Sequence, residues 1–302
     1  MKAVVLHEYG GPDNLKYEDW DDPRIGAGQV LVQVTAAGLN PIDWKLRSGA
    51  MKAFMPLQFP AILGYDYSGI VLSVGRDVQG FAAGDRVFGR TGNAYAEMVA
   101  ADPTGMAKVP EGLDQVAAAA LPVVLNTGEQ LISEASKVQP GQTVVITGAL
   151  GSVGRTAVWV AKKLGAKVIA GVRSSQKKAA ETLGADAILA LDSEEEMEAL
   201  GSVEVVADTI GGNVGGTLLT KIVAGGTYAS VVGPPANASL YPTIKIEAMG
   251  SHADGPGMHT LAIDLVNGKF AIPISRMIPL AEAAKAHVLA EKGGLGKILL
   301  LA

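Results

Sequence analysis

The 302-residue chain contains no cysteine, which excludes disulfides, thiol nucleophiles, iron–sulfur clusters and thiolate-ligated zinc. Histidine is scarce: His7, His252, His259 and His287 are scattered and form no H-x-x-x-H pair, so no metal site is expected. Aromatics make up only 5% of the residues, leaving Ala, Val, Ile and Leu to fill most of the core. No apolar run approaches the ~20 residues of a membrane-spanning helix. The N-terminal stretch Met1–Glu8 turns polar too early for a signal peptide and reads as a first strand. The net charge of -5 lacks the dense basic face that nucleic acid requires. Together these absences imply a cytoplasmic protein with neither a nucleic-acid nor a membrane partner.

What is present is a chain rich enough in apolar residues (48%, against 18% charged) to bury a sizeable core, and long enough for two domains. Its 38 glycines cluster at the ends of apolar runs without a fixed period. Up to about Val109 the runs are short and broken by Gly, Pro and Asp, as in Gln29–Ala36, Tyr67–Val74 and Asp85–Gly89, the texture of a compact β unit. From about Pro122 to Asn267 strands alternate with helices: Thr143–Thr147, Lys167–Val172, Ala187–Leu189, Val203–Asp208 and Thr227–Val232 are the expected strands. Such alternation predicts an α/β fold with a doubly wound parallel sheet. The run Glu194–Glu196 reads as a solvated helix start. The tail regains strand character at Ile272–Ile274 and Lys297–Leu301, around a helix near Ala281–Ala290. The expected domains are therefore residues 1–121 with 268–302, and an inserted unit at 122–267.

The strongest chemical feature follows the β-branched strand Thr143–Thr147: Gly148-Ala149-Leu150-Gly151-Ser152-Val153-Gly154, opening a helix whose apolar residues Val153, Ala157, Val160, Ala161 and Leu164 share one face. A glycine turn between a strand and a helix lets the backbone approach a pyrophosphate while the helix supplies amide donors. At the end of the next strand, where an NAD site places an acidic residue on the ribose, stand Arg173, Ser174, Ser175, Gln176, Lys177 and Lys178. A carboxylate there would repel a 2′-phosphate, whereas Arg and Ser can bind one. Basic residues also suit a helix start poorly unless an anion is bound. NADPH is therefore the expected cofactor. Asp208 is expected to close the fourth strand and help position it, with Gly211-Gly212 giving the turn that follows.

These residues, with Ala37-Gly38-Leu39-Asn40-Pro41-Ile42-Asp43, Pro60–Gly69, Gly84-Asp85-Arg86-Val87, Ala286-His287 and Gly296-Lys297, make the chain resemble the zinc-independent quinone oxidoreductases of the medium-chain dehydrogenase/reductase superfamily. The resemblance covers nearly the whole chain and implies a GroES-like β domain with an inserted Rossmann domain. Zinc alcohol dehydrogenases of the same superfamily need a Cys near Asn40 and a His where this chain has Tyr65, so the resemblance implies a zinc-free subclass. It further implies that Asn40 lies in a loop beside the nicotinamide and that Lys45 touches the cofactor or the substrate oxygen. Thr127 matches a Thr near the nicotinamide phosphate arm, and Leu150, Gly151, Ser152 and Val153 match the pyrophosphate turn. Val231-Val232-Gly233 faces the carboxamide, and Ser251-His252-Ala253 lines the cofactor, with His252 a candidate proton donor. Asp66 is expected to brace a loop, His287 to be packed, and one of Tyr65 and Tyr67 to face the substrate. Trp44 either shapes the pocket or packs.

The expected reaction is hydride transfer from NADPH to a small quinone or enone. Without a metal, the carbonyl is polarised by side chains, amides or water, which suits acceptors whose reduced anion is delocalised. Lys45 is the expected donor to that anion. The rivals are an enone or alkenal double-bond reductase and an NADPH-binding redox sensor or structural protein. The resemblance also implies a homodimer through the sheet edge near Thr243–Gly250.

Overall fold

The computed structural model describes residues 1–294 and 296–302. The chain divides into two compact units: Met1–Val123 with Ala253–Gly268 and Ile272–Ala302, and Val124–His252 with Lys269–Ala271.

The first unit is built on two sheets. Lys2–Leu6 pairs antiparallel with Leu15–Asp19 on one side and with Ala61–Ile62 on the other. The larger sheet runs Ile274–Pro279, Lys297–Leu301, Val30–Leu39, Asp66–Val74, Arg86–Arg90, Met106–Lys108, and Met98–Ala101 also pairs with Val30–Leu39. Val30, Val32 and Val34 alternate inward, and from Ala36 to Leu39 every residue is buried, as expected where a strand passes from a half-solvated face to one covered on both sides. The strand Asp66–Val74 reverses this: its first four residues are buried and its end is not.

A short helix, Pro41–Arg47, leaves the end of Val30–Leu39. Pro41 at its first position and Asp43 accepting from the Asn40 amide (2.8 Å) fix its start. Its last residue, Arg47, is buried, and its guanidinium donates to Gly10 O at 3.1 Å, to Glu291 Oε1, and to His287 Nδ1 at 3.4 Å. The C-terminal helix Ala283–Glu291 is thereby tied to the helix that carries Lys45. His287 is packed, as its sequence context implied, with Tyr95 set edge-on to its ring at 5.8 Å.

The second unit is a six-stranded sheet in the order Ala187–Ala190, Lys167–Val172, Thr143–Thr147, Val203–Asp208, Ile222–Ser230, Lys245–Ala248, with every neighbouring pair parallel. This doubly wound order reverses direction between Thr143–Thr147 and Val203–Asp208, and ligands bind such sheets outside the strands' carboxyl ends at that point. Val144, Val145 and Ile146 are fully buried, each contributing about 1.5–3 kcal/mol of burial. The helix Ser152–Lys163 lays Ala157, Val158, Val160 and Ala161 inward. Leu164, expected on that face, is its C-cap and is 37% exposed, where the chain leaves through Gly165 at φ +83°. The fifth strand starts and ends earlier than the expected Thr227–Val232, so Val231 and Val232 lie in the loop beyond it.

The expected boundary at 267 differs from the observed division, because the helix Gly255–Val266 packs on the first unit. A Cβ on Gly255 would lie 2.0 Å from Met106 O, a backbone approach only glycine allows, and His259 Nδ1 meets Lys108 O at 3.0 Å. Lys269–Ala271 instead joins the second unit, where Phe270 stacks on Trp159 with centroids 6.2 Å apart. Among the described residues, no helix is long and apolar enough to cross a membrane.

Burial, reinforced by the Arg47 charge, lowers His287 from its ordinary value to about 3. Its contribution to stability is therefore complete above its unfolded value near 6.5 and is lost as pH falls towards about 3. His287→Gln keeps an acceptor for Arg47 and cannot titrate. Calorimetric melting between pH 7 and 4 should show the advantage of wild type over this variant shrinking as pH falls; a constant gap would contradict the assignment.

Candidate active site

In the second unit, the turn after Thr143–Thr147 has the geometry of a dinucleotide cradle. Gly148 has φ +61°, and Gly151 N donates back to Gly148 O at 2.8 Å, closing the turn. A Cβ on Gly154 would come within 2.2 Å of Gly148 O, so this glycine lets the helix sit against the turn. A Cβ on Gly151 would meet only Gly148 O, at 3.1 Å, which leaves the outer face of the turn open. No side chain caps the twelve-residue helix Ser152–Lys163. The amides of its first turn, including those of Ser152 and Val153, thus face the turn without a side-chain acceptor, as pyrophosphate binding requires. Leu150 is buried beneath the turn.

Asp208 is fully buried at the end of the fourth strand, and its carboxylate gathers the loops around the direction change. Oδ1 accepts from Thr147 Oγ1 (2.7 Å), Ile210 N (3.1 Å) and Gly211 N (3.0 Å), while Oδ2 accepts from Ser230 Oγ (2.9 Å). Thr209 completes the clamp: its hydroxyl donates to Thr147 O at 2.7 Å and its amide to Thr147 Oγ1 at 2.8 Å. Three adjacent strand ends are locked together. Asp208 therefore positions the site through its neighbours. Val231 N donates to Asp208 O and Val232 N to Ser230 Oγ, which fixes the approach to Gly233 (φ +101°).

At the carboxyl end of the second strand the expected basic group is partly engaged. Lys177 Nζ is paired with Glu196 Oε1 at 2.8 Å, and Ser174 gives both its amide and its hydroxyl to Asp192 Oδ1, at 2.6 and 2.7 Å. Arg173 is exposed, and its amide donates to Gln176 Oε1. Of the residues expected to receive a phosphate, Arg173 has a guanidinium without a hydrogen-bonded partner among the described residues.

Thr127 and Ser251, far apart in sequence, do meet: Thr127 Oγ1 donates to Ser251 Oγ at 2.9 Å. His252 is held by Gln130 through both backbone groups, and its Nε2 lies 3.1 Å from Glu134 Oε1. The His252 ring thus has an exposed carboxylate beside it. Ala253, the last residue of that expected segment, belongs to the first unit.

In the first unit a buried polar knot surrounds Asn40. The register Ile298↔Leu39 sets Lys297 beside Asn40, and Gly38↔Asp66 sets Asp66 on the other side. Gly38 permits this, since a Cβ there would lie 2.2 Å from Ala119 O and 2.9 Å from the Asp66 Cβ. Lys297 Nζ donates to Asn40 Oδ1 (2.6 Å) and Asp66 Oδ2 (3.3 Å), and Asn40 Nδ2 donates to Asp66 Oδ2 (2.8 Å). Asp66 Oδ1 accepts from Val123 N at 2.7 Å, so Asp66 is the brace its context implied. Both ends of the Asn40 amide are hydrogen-bonded within the unit, and the residue is 1% exposed, so its side chain helps fix the loop. Asp43 Oδ2 accepts from Tyr95 OH at 2.9 Å, and burial pushes the Asp43 carboxyl up to about 7. Burial likewise holds Asp66 above its ordinary range, against the pull of Lys297. Lys45 stands apart from this knot: its ammonium lies 5.7 Å from the Trp44 ring centroid and has no ion pair among the described residues. Tyr67 is fully buried; Tyr65 is half-buried, with Arg90 5.8 Å from its ring.

Sequence reading missed the roles of Asp43 and Tyr95, did not assign Lys297 its buried role, passed over Asp192, and took Glu196 only as part of a solvated helix start, whereas it pairs with Lys177. Only strand register or packing reveals them.

A family model for the alcohol dehydrogenase GroES-like domain matches residues 26–113, and one for zinc-binding dehydrogenase matches residues 183–300. A quinone oxidoreductase of Pseudomonas aeruginosa is 32% identical over 99% of both chains. The chain belongs to the quinone oxidoreductase family of the medium-chain dehydrogenases/reductases. The quinone oxidoreductase structure from Coxiella burnetii covers 100% of this chain and 99% of that one, at 30% identity and a TM-score of 0.89. An NADPH-dependent alkenal/one oxidoreductase of Arabidopsis thaliana is 35% identical over 70% of this chain and 58% of that protein. This is a family of pyridine-nucleotide-dependent oxidoreductases, and the cradle at Gly148–Gly154 fits such a cofactor. Although one matching model is described by zinc, the chain has no cysteine, and among the described residues no three His, Asp or Glu side chains are grouped to hold a metal.

Lys297→Met would leave the Asp66 carboxylate buried without its cation, a change that typically costs about 3–5 kcal/mol. Urea unfolding should show this loss, whereas Lys45→Met should move the midpoint little.

Proposed function

We propose that the chain is a zinc-free, NADPH-dependent quinone oxidoreductase acting on a small conjugated carbonyl compound. The observation that carries the reading is the uncapped helix Ser152–Lys163 opening on Gly148, Gly151 and Gly154 at the direction change of the parallel sheet. Its amides and dipole would bind the pyrophosphate, and Gly154 brings the helix close enough for them to do so. The Asp208 clamp holds the neighbouring loops at Ile210–Gly211 and Val231–Val232 in one geometry, so that orientation is built in before a ligand arrives. Arg173 would take the adenosine 2′-phosphate. The preference for NADPH is supported by that residue and by a mycobacterial structure complexed with NADPH, 26% identical over the whole of both chains with a TM-score of 0.85.

When bound, the reduced nicotinamide supplies hydride. The protein's own contribution to the acceptor is electrostatic. With no thiolate available to hold zinc, the negative charge developing on a carbonyl oxygen needs a donor, and the unpaired Lys45 ammonium can give it. Quinones and enones suit this modest assistance because their reduced anions are delocalised. Solvent delivers the proton. The alkenal/one relative supports an enone or alkenal as the second acceptor class.

Steady-state oxidation of NADPH with matched quinones and enones tests the reading. A quinone should give the higher kcat/KM. Lys45→Met should lower kcat by about 10²-fold, in line with removing a single oxyanion donor, with little change in nucleotide affinity. Tight NADPH binding with no turnover of either acceptor class would assign a binding role instead.

A further inference from the structure

Nucleotide preference in a sheet of this kind is read at the carboxyl end of the second strand, here Lys167–Val172. In this chain Arg173 follows the second strand, but it does not face that position alone. The third strand, Ala187–Ala190, pairs in parallel with it, so the chain leaving the third strand arrives beside Arg173. Leu191 N donates to Val172 O at 2.7 Å, and Asp192 follows at the level of Ser174. Its Oδ1 accepts from both Ser174 N and Ser174 Oγ, at 2.6 and 2.7 Å. Ser174 is one of the residues expected from the sequence to receive a 2′-phosphate. Beside it, Lys177 is committed to Glu196, whose other oxygen accepts from Ala190 N at 2.9 Å.

We propose that Asp192 sets the nucleotide preference of this site: its carboxylate opposes a 2′-phosphate at Ser174 and offers an acceptor to the free ribose hydroxyl of a nucleotide that lacks one. The inference rests on the nucleotide-binding reading above and refines it. Arg173 attracts the 2′-phosphate; Asp192 holds that attraction down, so the chain accepts NADH as well as NADPH. The Ser174 amide and hydroxyl, together with Arg173, keep the Asp192 carboxyl below its usual range, so it carries its charge at neutral pH. A 2′-phosphate binding at Ser174 would have to displace that charge or sit against it. The acidic residue that an NAD site usually carries on its second strand is thus supplied from the third.

Asp192→Asn tests this, because the amide oxygen can still accept from Ser174 while the charge is gone. Affinities of adenosine 2′,5′-bisphosphate and 5′-AMP are measured by calorimetry on the full chain, at low and high salt, alongside the NADPH/NADH ratio of kcat/KM. The variant should bind the bisphosphate about tenfold more tightly, with 5′-AMP unchanged or weakened and the gain smaller at high salt. Asp192→Ala, which frees Ser174 as well, should show the same direction; melting curves confirm that both variants fold. If wild type binds both fragments and neither variant alters their ratio, Asp192 has no part in the preference and the inference fails alone. If wild type binds neither fragment, the nucleotide reading fails and takes the inference with it.

Discussion

The first unit depends on one buried ammonium. Lys297, 6% exposed, stands at the start of the last strand, and among the described residues its ammonium is met by the carboxylate of Asp66 and the amide oxygen of Asn40. Removing a charge from water costs several kcal/mol, and the cost is offset only when geometry and hydrogen bonds are complete. Here they are nearly complete: Asp66 also accepts from Asn40 Nδ2 and Val123 N. The knot therefore fixes the end of Val30–Leu39, the start of the helix bearing Lys45, and the beginning of the helix Pro122–Gln130, all at once. Arg47, held by Gly10, His287 and Glu291, anchors the other end of the Lys45 helix.

The second unit solves a similar problem with Asp208. A buried carboxylate with no ion pair among the described residues collects hydroxyls and amides from three strand ends. Such a cluster specifies loop geometry more than it adds stability, because every member must be present for any to be satisfied. Each unit thus holds a buried polar knot, and the proposed functional residues Lys45 and Arg173 take no part in either.

Much of this was legible in the chain. The strand Thr143–Thr147 and the glycine turn could be read because β-branched residues, glycines and the helical period are local signals. Lys297–Leu301 and Val203–Asp208 emerged with the expected bounds. Asn40 shows where such reading stops: nothing local announced that both ends of its amide would be bound within the unit. A hydrogen bond across 257 positions leaves no trace in spacing. The helix Gly255–Val266 is a second instance, since a helical pattern does not say which surface it will meet.

The sequence by itself determined the α/β architecture, the nucleotide turn, the absence of thiolate ligands and the basic residue at the end of the second strand. Each depends on composition or on neighbours within a few positions. Tertiary structure alone decided which of those groups remain available. Strand register brought Lys297 to Asn40, and parallel pairing brought Asp192 onto Ser174. The reason is physical: local propensity fixes backbone shape, but the field at a charged group is set by whatever lies within a few ångströms of it, and in a folded chain those neighbours come from distant strands.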